Sequence, residues 1–342
     1  MRSLMMMIAV GAFTGGLLFA PLGEPAALAA QACASARAKA SSAKPGMVWI
    51  PDGAFVMGSD KAYRSERPAR EVRLKGFWID THEVTNAQFD AFVDRTGYLT
   101  VAEHTPEPIP NAPPEMAKPG SIVFVQPERV TSMDHRQWWR YVPGANWRHP
   151  GGPKTSIEGR DNDPVVHIAL EDALAYAKWA GRELPTEAQW EYAARAGSKT
   201  VFPWGGHLAP EGVHMANTWD GHFPLKNTAA DGYLRAAPVK CFPPTAFGLY
   251  DMIGNVWEWT TDWYAPQHDI NDRDNPKGPP AERSADRRQS GFPVKVIKGG
   301  SYLCAPNFCA RFRPAAREAQ DTGLGTNHIG FRTVRNAPGP GP

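Results

Sequence analysis

Hydrophobic and polar positions follow two different periods along this chain, and the change from one to the other marks its first elements. The stretch "MVWIPDGAFVMGSD" alternates and turns in the manner of a strand, a turn and a second strand, and predicts the entry to a folded domain. In "TNAQFDAFVDRTG" the spacing becomes helical. Phe89, Phe92 and Val93 share one face, Thr85 and Gln88 read as a capping box, and Gly97 is the stop. "LEDALAYAKWAG" sets Leu170, Ala173, Leu174 and Ala177 on one side and ends at Gly181. A third helix is predicted in "LPTEAQWEYAARAG", where Pro185 and Thr186 precede the first turn and Gln189 completes another capping box. All three are short scaffold helices. Residues 104–136, rich in proline, and 265–292, rich in charge, are expected as surface loops.

Composition sharpens this picture. The 342 residues include 32 glycines, 33 prolines and 12 tryptophans, which predicts a fold of turns and irregular segments with few long helices. A formal charge of +2 is too balanced for a nucleic-acid partner. The opening "MRSLMMMIAVGAFTGGLLFAPLGEPAALAA" has an early arginine, an apolar stretch and Ala27-Leu28-Ala29 before a cleavage point. It reads as an export signal over residues 1–29, with a membrane anchor as the competing reading. An Ala/Ser/Lys linker over 30–46, a single domain over 47–335 and a disordered tail over 336–342 complete the expected organisation. The mature chain is expected in the periplasm or outside the cell, where disulfides form.

The common signatures of nucleotide, zinc-protease and serine-hydrolase chemistry are absent. What remains is a region dense in oxygen ligands and tryptophan, from 201 to 264. Asp251 and Glu258, with the carbonyls of Gly254 and Val256, have a spacing that suits a hard cation such as Ca2+, and Asn217 with Asp231 allows the same reading. Turn and capping hydrogen bonds are the more ordinary explanation of the same residues from spacing alone. Trp257, Trp259 and Trp263 read as core. Cys304 and Cys309 lack the second pair that structural zinc requires. They fit either a disulfide or a two-thiolate clip for a soft ion such as Cu(I), and Arg311, Arg313 and Arg317 nearby favour thiolate. Cys33 and Cys241 are free or joined to each other.

Taken in order, "GAFVMGSD", "HEVTNAQF", "GANWRHPGGP", "LPTEAQWEYAARAG", "FPWG", "GLYDMIGNVWEWTTDW", "GGSYLCAPNFCARFRPAAR" and "HIGFR" resemble the formylglycine-generating enzymes, the sulfatase-modifying factor family, from about Met47 to Arg332. The discriminating motif is G-G-S-x-x-C-x(4)-C, satisfied by Gly299, Gly300, Ser301, Cys304 and Cys309. The resemblance implies an α+β fold of C-type-lectin-like kind, in one domain with little regular secondary structure. It implies an O2-consuming, copper-dependent oxidase that converts the cysteine of a C-x-P-x-R segment in an unfolded sulfatase to Cα-formylglycine. Cys304 and Cys309 would hold Cu(I), with Cys309 the one reached by substrate. Ser301 would make a polar contact near oxygen, and Trp257 would shape the pocket. Two calcium sites map onto Asn217, Thr218, Asp231 and Tyr233, and onto Asp251, Gly254, Val256 and Glu258, with Thr218, Tyr233, Gly254 and Val256 giving carbonyls. A monomer is expected.

The chain departs from the family pattern in places. Ala305-Pro306-Asn307-Phe308 replaces the His-x-Ser-Tyr that many members carry between the cysteines. Ala169-Leu170 stands where many read Ser-Trp, removing an N-cap, and His328 where some carry Asn. Two other readings stay open at this level: an oxidative tailoring enzyme of the same fold acting on a small metabolite, and a calcium-stabilised binding module without turnover.

Overall fold

The computed structural model describes Cys33 and residues 46–108, 112–132, 134–286 and 291–336. The expected export signal, the rest of the 30–46 linker before Gly46, and the tail from 337 lie outside them. The predicted opening strands are β1 (Met47–Ile50) and β2 (Gly53–Met57), but they separate into different sheets. β2 pairs antiparallel with β3 (Arg70–Leu74), whereas β1 pairs with β4 (Phe77–Asp80). Proline-rich 104–136 is not all loop. It contains β5 (Gly120–Phe124), paired in register with β6 (Trp139–Pro143), because a short apolar run found its partner fifteen residues on, as the pairing of Phe124 with Trp139 shows. β7 (Gly221–His222) and β8 (Lys226–Asn227) make a small ladder.

The sheet that carries the site has the order β11-β10-β9-β12. Its central strands, β9 (Trp257–Trp263) and β10 (Val294–Lys298), run antiparallel; β11 (Glu318–Asp321) flanks β10, and β12 (Ile329–Gly330) lies parallel to β9. β13 (Val334–Arg335) returns to β4, so the end of the described chain closes the first sheet.

The helices follow the predicted caps. In α1 (Asn86–Thr96) the Gln88 amide donates to Thr85 Oγ1 while Gln88 Oε1 accepts from the Thr85 N–H, and Gly97 ends the helix in a left-handed conformation. α3 (Glu187–Arg195) repeats the arrangement with Thr186 and Gln189. In α2 (Leu170–Ala180), Ala169 offers no side-chain cap, but the Asp172 carboxylate still accepts the Ala169 N–H at 2.8 Å. One predicted core position differs. Leu174 is 45% exposed, and Tyr176 and Ala180 occupy the buried face with Leu170, Ala173 and Ala177, because α2 packs on the α1 aromatics through its Tyr176 side.

β9 divides the interior by the two-residue period of a strand. Trp257 and Trp259 face a cluster with Phe89, Trp147, Tyr176 and Phe331, while Glu258 points to Trp190, in a second cluster between α3 and the small sheets. Trp263, at the strand's end, is half-buried with the Lys295 ammonium 3.7 Å from its ring. Among the described residues no helix is long and apolar enough to cross a membrane.

Candidate active site and oxygen-rich loops

Cys304 and Cys309 lie in the connection between β10 and β11. The turn that presents them starts at Gly299 and Gly300, both at positive φ. A Cβ on Gly300 would stand 2.9 Å from the Phe312 Cα, so glycine is required there both for conformation and for space. The two sulfurs are 3.1 Å apart and unbonded. Cys304 is sealed in the core at 2% exposed, whereas Cys309 is half-buried and lines a pocket of about 590 Å³. Their acidities diverge accordingly. Burial, and the contact with Cys309, push the Cys304 thiol well up. The hydrogen bond from Cys304, together with the Arg311 charge, pulls the Cys309 thiol down against its own burial.

Of the three arginines, only Arg311 acts on the pair in this way, while itself paired with Glu318 at 2.9 Å. Arg313 is bound to Glu66 and Arg317 to Glu187. Burial alone would raise the Glu187 carboxyl, but Arg317, His268 and Lys298 hold it below the usual carboxylate range. Lys298, fully buried, also reaches Glu191 at 3.2 Å, so the residue before Gly299 is anchored to α3.

Ser301 is fully buried; its hydroxyl accepts the Leu303 N–H at 3.2 Å, and its carbonyl accepts the Cys304 N–H at 2.9 Å. Trp257 lines the same pocket as Cys309, with His135, Trp139, Phe292 and His328. The Ala-Pro-Asn-Phe bridge packs away from the sulfurs. Phe308 stacks on Phe223 at 4.5 Å, and the Asn307 side chain exchanges hydrogen bonds with the Phe223 main chain.

The four residues of the first expected calcium set converge. Asp231 accepts the Thr218 N–H at 3.1 Å and the Tyr233 N–H at 2.9 Å, and burial raises its carboxyl to about 6. The Asn217 Oδ1 is buried without a partner. In the second set, Arg332 holds Glu258 by two bonds of 2.7 and 2.8 Å, and Trp190 Nε1 donates to the same carboxylate. Glu258 Oε1 accepts one of these three bonds and keeps further acceptor capacity. Asp251 Oδ1 is unpartnered, and so is one oxygen of Glu83, a buried carboxylate beside Asp251 whose proton affinity is raised by burial and by Asp251. Arg332 thus pairs with two buried carboxylates, Glu258 at 2.7 Å and the Glu83 oxygen that lacks a hydrogen bond at 4.0 Å, with Asp251 beside them. Orphaned buried oxygens at both loops fit a hard cation. Among the described residues no three His, Cys, Asp or Glu side chains already form a metal cage, so such a cation would draw on amide and main-chain oxygens as well.

Asn255 joins these parts and is not legible as a site residue from spacing. It sits at φ +56, its N–H donates to the Asn217 carbonyl, its carbonyl accepts the Tyr302 N–H, and its side chain bonds Asn217, Ala237 and Glu83. A Cβ on neighbouring Gly254 would collide with that same Asn217 carbonyl. The Gly254 N–H donates to Gly299, and the Trp219 N–H to Cys304. The two oxygen-rich loops are therefore hydrogen-bonded directly to the cysteine turn. Cys33 is disulfide-bonded to Cys241, which ties the expected linker to the segment between these loops.

A family model described as the sulfatase-modifying factor enzyme 1-like domain matches residues 32–337. The formylglycine-generating enzyme of Mycobacterium tuberculosis is 47% identical over 84% of this chain and 97% of its own length. That of Mus musculus is 44% identical over 84% of this chain and 74% of its own. The inactive C-alpha-formylglycine-generating enzyme 2 of Mus musculus is 37% identical over 86% of each. Among solved structures, PvdO from Pseudomonas aeruginosa superposes with a TM-score of 0.59 at 25% identity, over 87% of this chain and 96% of that one. With this match running through the cysteine turn and both oxygen-rich loops, the chain belongs to the formylglycine-generating enzyme family.

Proposed function

We propose that this protein is an O2-consuming oxidase that converts a cysteine in an unfolded C-x-P-x-R segment of a sulfatase to Cα-formylglycine. The observation that carries this is the unbonded Cys304–Cys309 pair, opening through Cys309 alone into an aromatic-walled pocket. Two thiolates suit Cu(I), which when bound supplies the redox chemistry with oxygen. The protein's part is positional. Gly299 and Gly300 bend the turn, the Ser301 carbonyl holds the Cys304 main chain, and Arg311 favours the thiolate form of Cys309. Trp257, Trp139 and Phe292 give the pocket an apolar wall that orients the incoming segment.

Calcium at the Asn217/Thr218/Asp231/Tyr233 and Asp251/Gly254/Val256/Glu258 loops has a structural role in this reading, supported by the orphaned Asn217 and Asp251 oxygens. The mature protein acts in the periplasm or outside the cell as a monomer. The test is turnover of a C-x-P-x-R peptide by copper-loaded protein in air. A hydrazide-reactive aldehyde that forms in air and not under nitrogen is expected; no aldehyde from protein with bound copper rejects the proposal.

A further inference from the structure

His328 lines the same pocket as Cys309 and Trp257. Its ring lies against Trp139 with centroids 4.9 Å apart, and its Nδ1 is hydrogen-bonded to the Thr326 hydroxyl. The main chain is held as well: the His328 carbonyl accepts the Trp257 N–H, and the Thr326 carbonyl accepts that of His167. One ring nitrogen is thus anchored. The other, Nε2, has no partner among the described residues and is not one of the sealed, unpartnered polar atoms, so it opens to the pocket.

Most other polar side chains around that pocket are already engaged, and His135, the second histidine there, makes ring contacts with Trp138 and Phe308. Gln320 donates to the carbonyls of Asp321 and Leu324, Glu318 pairs with Arg311, and Asp321 Oδ1 accepts the Gly323 N–H. Between the cysteines, Asn307 is spent on Phe223. Burial, with His167 close by, holds the His328 ring down to about 3, so it is uncharged at neutral pH. An uncharged imidazole among aromatic rings matches a peptide amide, not a carboxylate or phosphate.

We propose that His328 is a substrate-contact residue whose Nε2 hydrogen-bonds a main-chain amide of the extended segment entering the pocket, fixing that segment's register against Cys309. The assignment rests on the peptide-oxidase reading above. The Trp139 stack and the Thr326 bond set the ring's plane and edge, so the contact is pre-formed and costs little ordering on binding.

The experiment compares wild type, H328F and H328N in two assays. One is fluorescence anisotropy with a labelled C-x-P-x-R peptide carrying serine for the reacting cysteine; the other is steady-state turnover of the cysteine peptide. H328F keeps a ring against Trp139 without the nitrogen. It is expected to weaken binding and raise KM about tenfold, with kcat within about twofold. H328N, which restores an amide, is expected within about threefold of wild type. Thermal unfolding confirms that both variants are folded; should H328F not fold, H328N against H328L decides. H328F matching wild type in both assays, or losing kcat with binding unchanged, overturns the proposal. Wild type that binds the serine peptide in a His328-dependent way but makes no aldehyde rejects the oxidase reading while keeping the contact. Wild type that does not bind the peptide overturns both.

Discussion

The Cys304 and Cys309 sulfurs stand 3.1 Å apart as two thiols, one sealed in the core and one at the pocket wall. A disulfide would need about 2.05 Å. The turn that places them is held at Gly254, Asn255 and Trp219 by main-chain hydrogen bonds, so their spacing is set by the surrounding loops as well as by the four residues between them.

Either Cys304→Ser or Cys309→Ser is expected to abolish Cu(I) binding by the pair and to reduce aldehyde formation by well over the roughly 100-fold that loss of an outer-shell partner causes. Anaerobic Cu(I) titration against a chelator checks the first effect, and the peptide assay the second. A binding module without turnover would keep its ligand affinity in both variants.

Calcium removal is expected to destabilise the protein and loosen the cysteine turn. At 100 times the dissociation constant, a site specific for the folded state contributes about 2.7 kcal/mol. Urea unfolding with calcium and with EGTA reads the difference, which should shrink in Asp231→Ala and in Asp251→Ala. Equal midpoints with and without the ion would falsify the calcium assignment.

Asp262 provides a pH test away from the oxygen-rich loops. Burial and the nearby Glu187 charge raise its carboxyl to about 7, although it accepts the Glu187 N–H and the Thr261 hydroxyl. Its unfolded value is about 3.9. The folded state therefore holds the proton longer, so this group's contribution to stability is full below about pH 4, declines up to about pH 7 and is constant above. Asp262→Asn removes that decline. Urea midpoints from pH 4 to 8 should show wild type losing ground to the variant over this window, and no further above it.

Reduction of the Cys33–Cys241 bond, which spans 208 residues, is expected to lower stability by about 2–4 kcal/mol. Cys33→Ser should reproduce the loss and be insensitive to dithiothreitol. Unfolding midpoints for the four combinations of variant and reductant decide it.

The helices were legible because their signals are local: Thr85 with Gln88, and Thr186 with Gln189, lie within one turn of chain. The cysteine turn was legible for the same reason, as only four residues separate its two cysteines. Elements built from distant partners were not. β5 depends on β6, Glu83 meets Asn255 across 172 residues, and Cys241 meets Cys33 across 208, none of which leaves a mark in local spacing. Phe292 and His135 reach the pocket from irregular segments without any apolar period. Asn255 carried one faint signal, the Gly-Asn pair in "MIGNVW", which marks a turn but not the four partners it gathers.

The Cys33–Cys241 link also sets what a protease can release. A cut anywhere between the two, including the proline-rich approach to β5, leaves both pieces in one molecule. On a denaturing gel such clipped material would run as one band until a thiol is added and as two afterwards, and the cysteine turn, which follows Cys241, would stay tethered to the fragment that carries α1 when the cut falls beyond that helix.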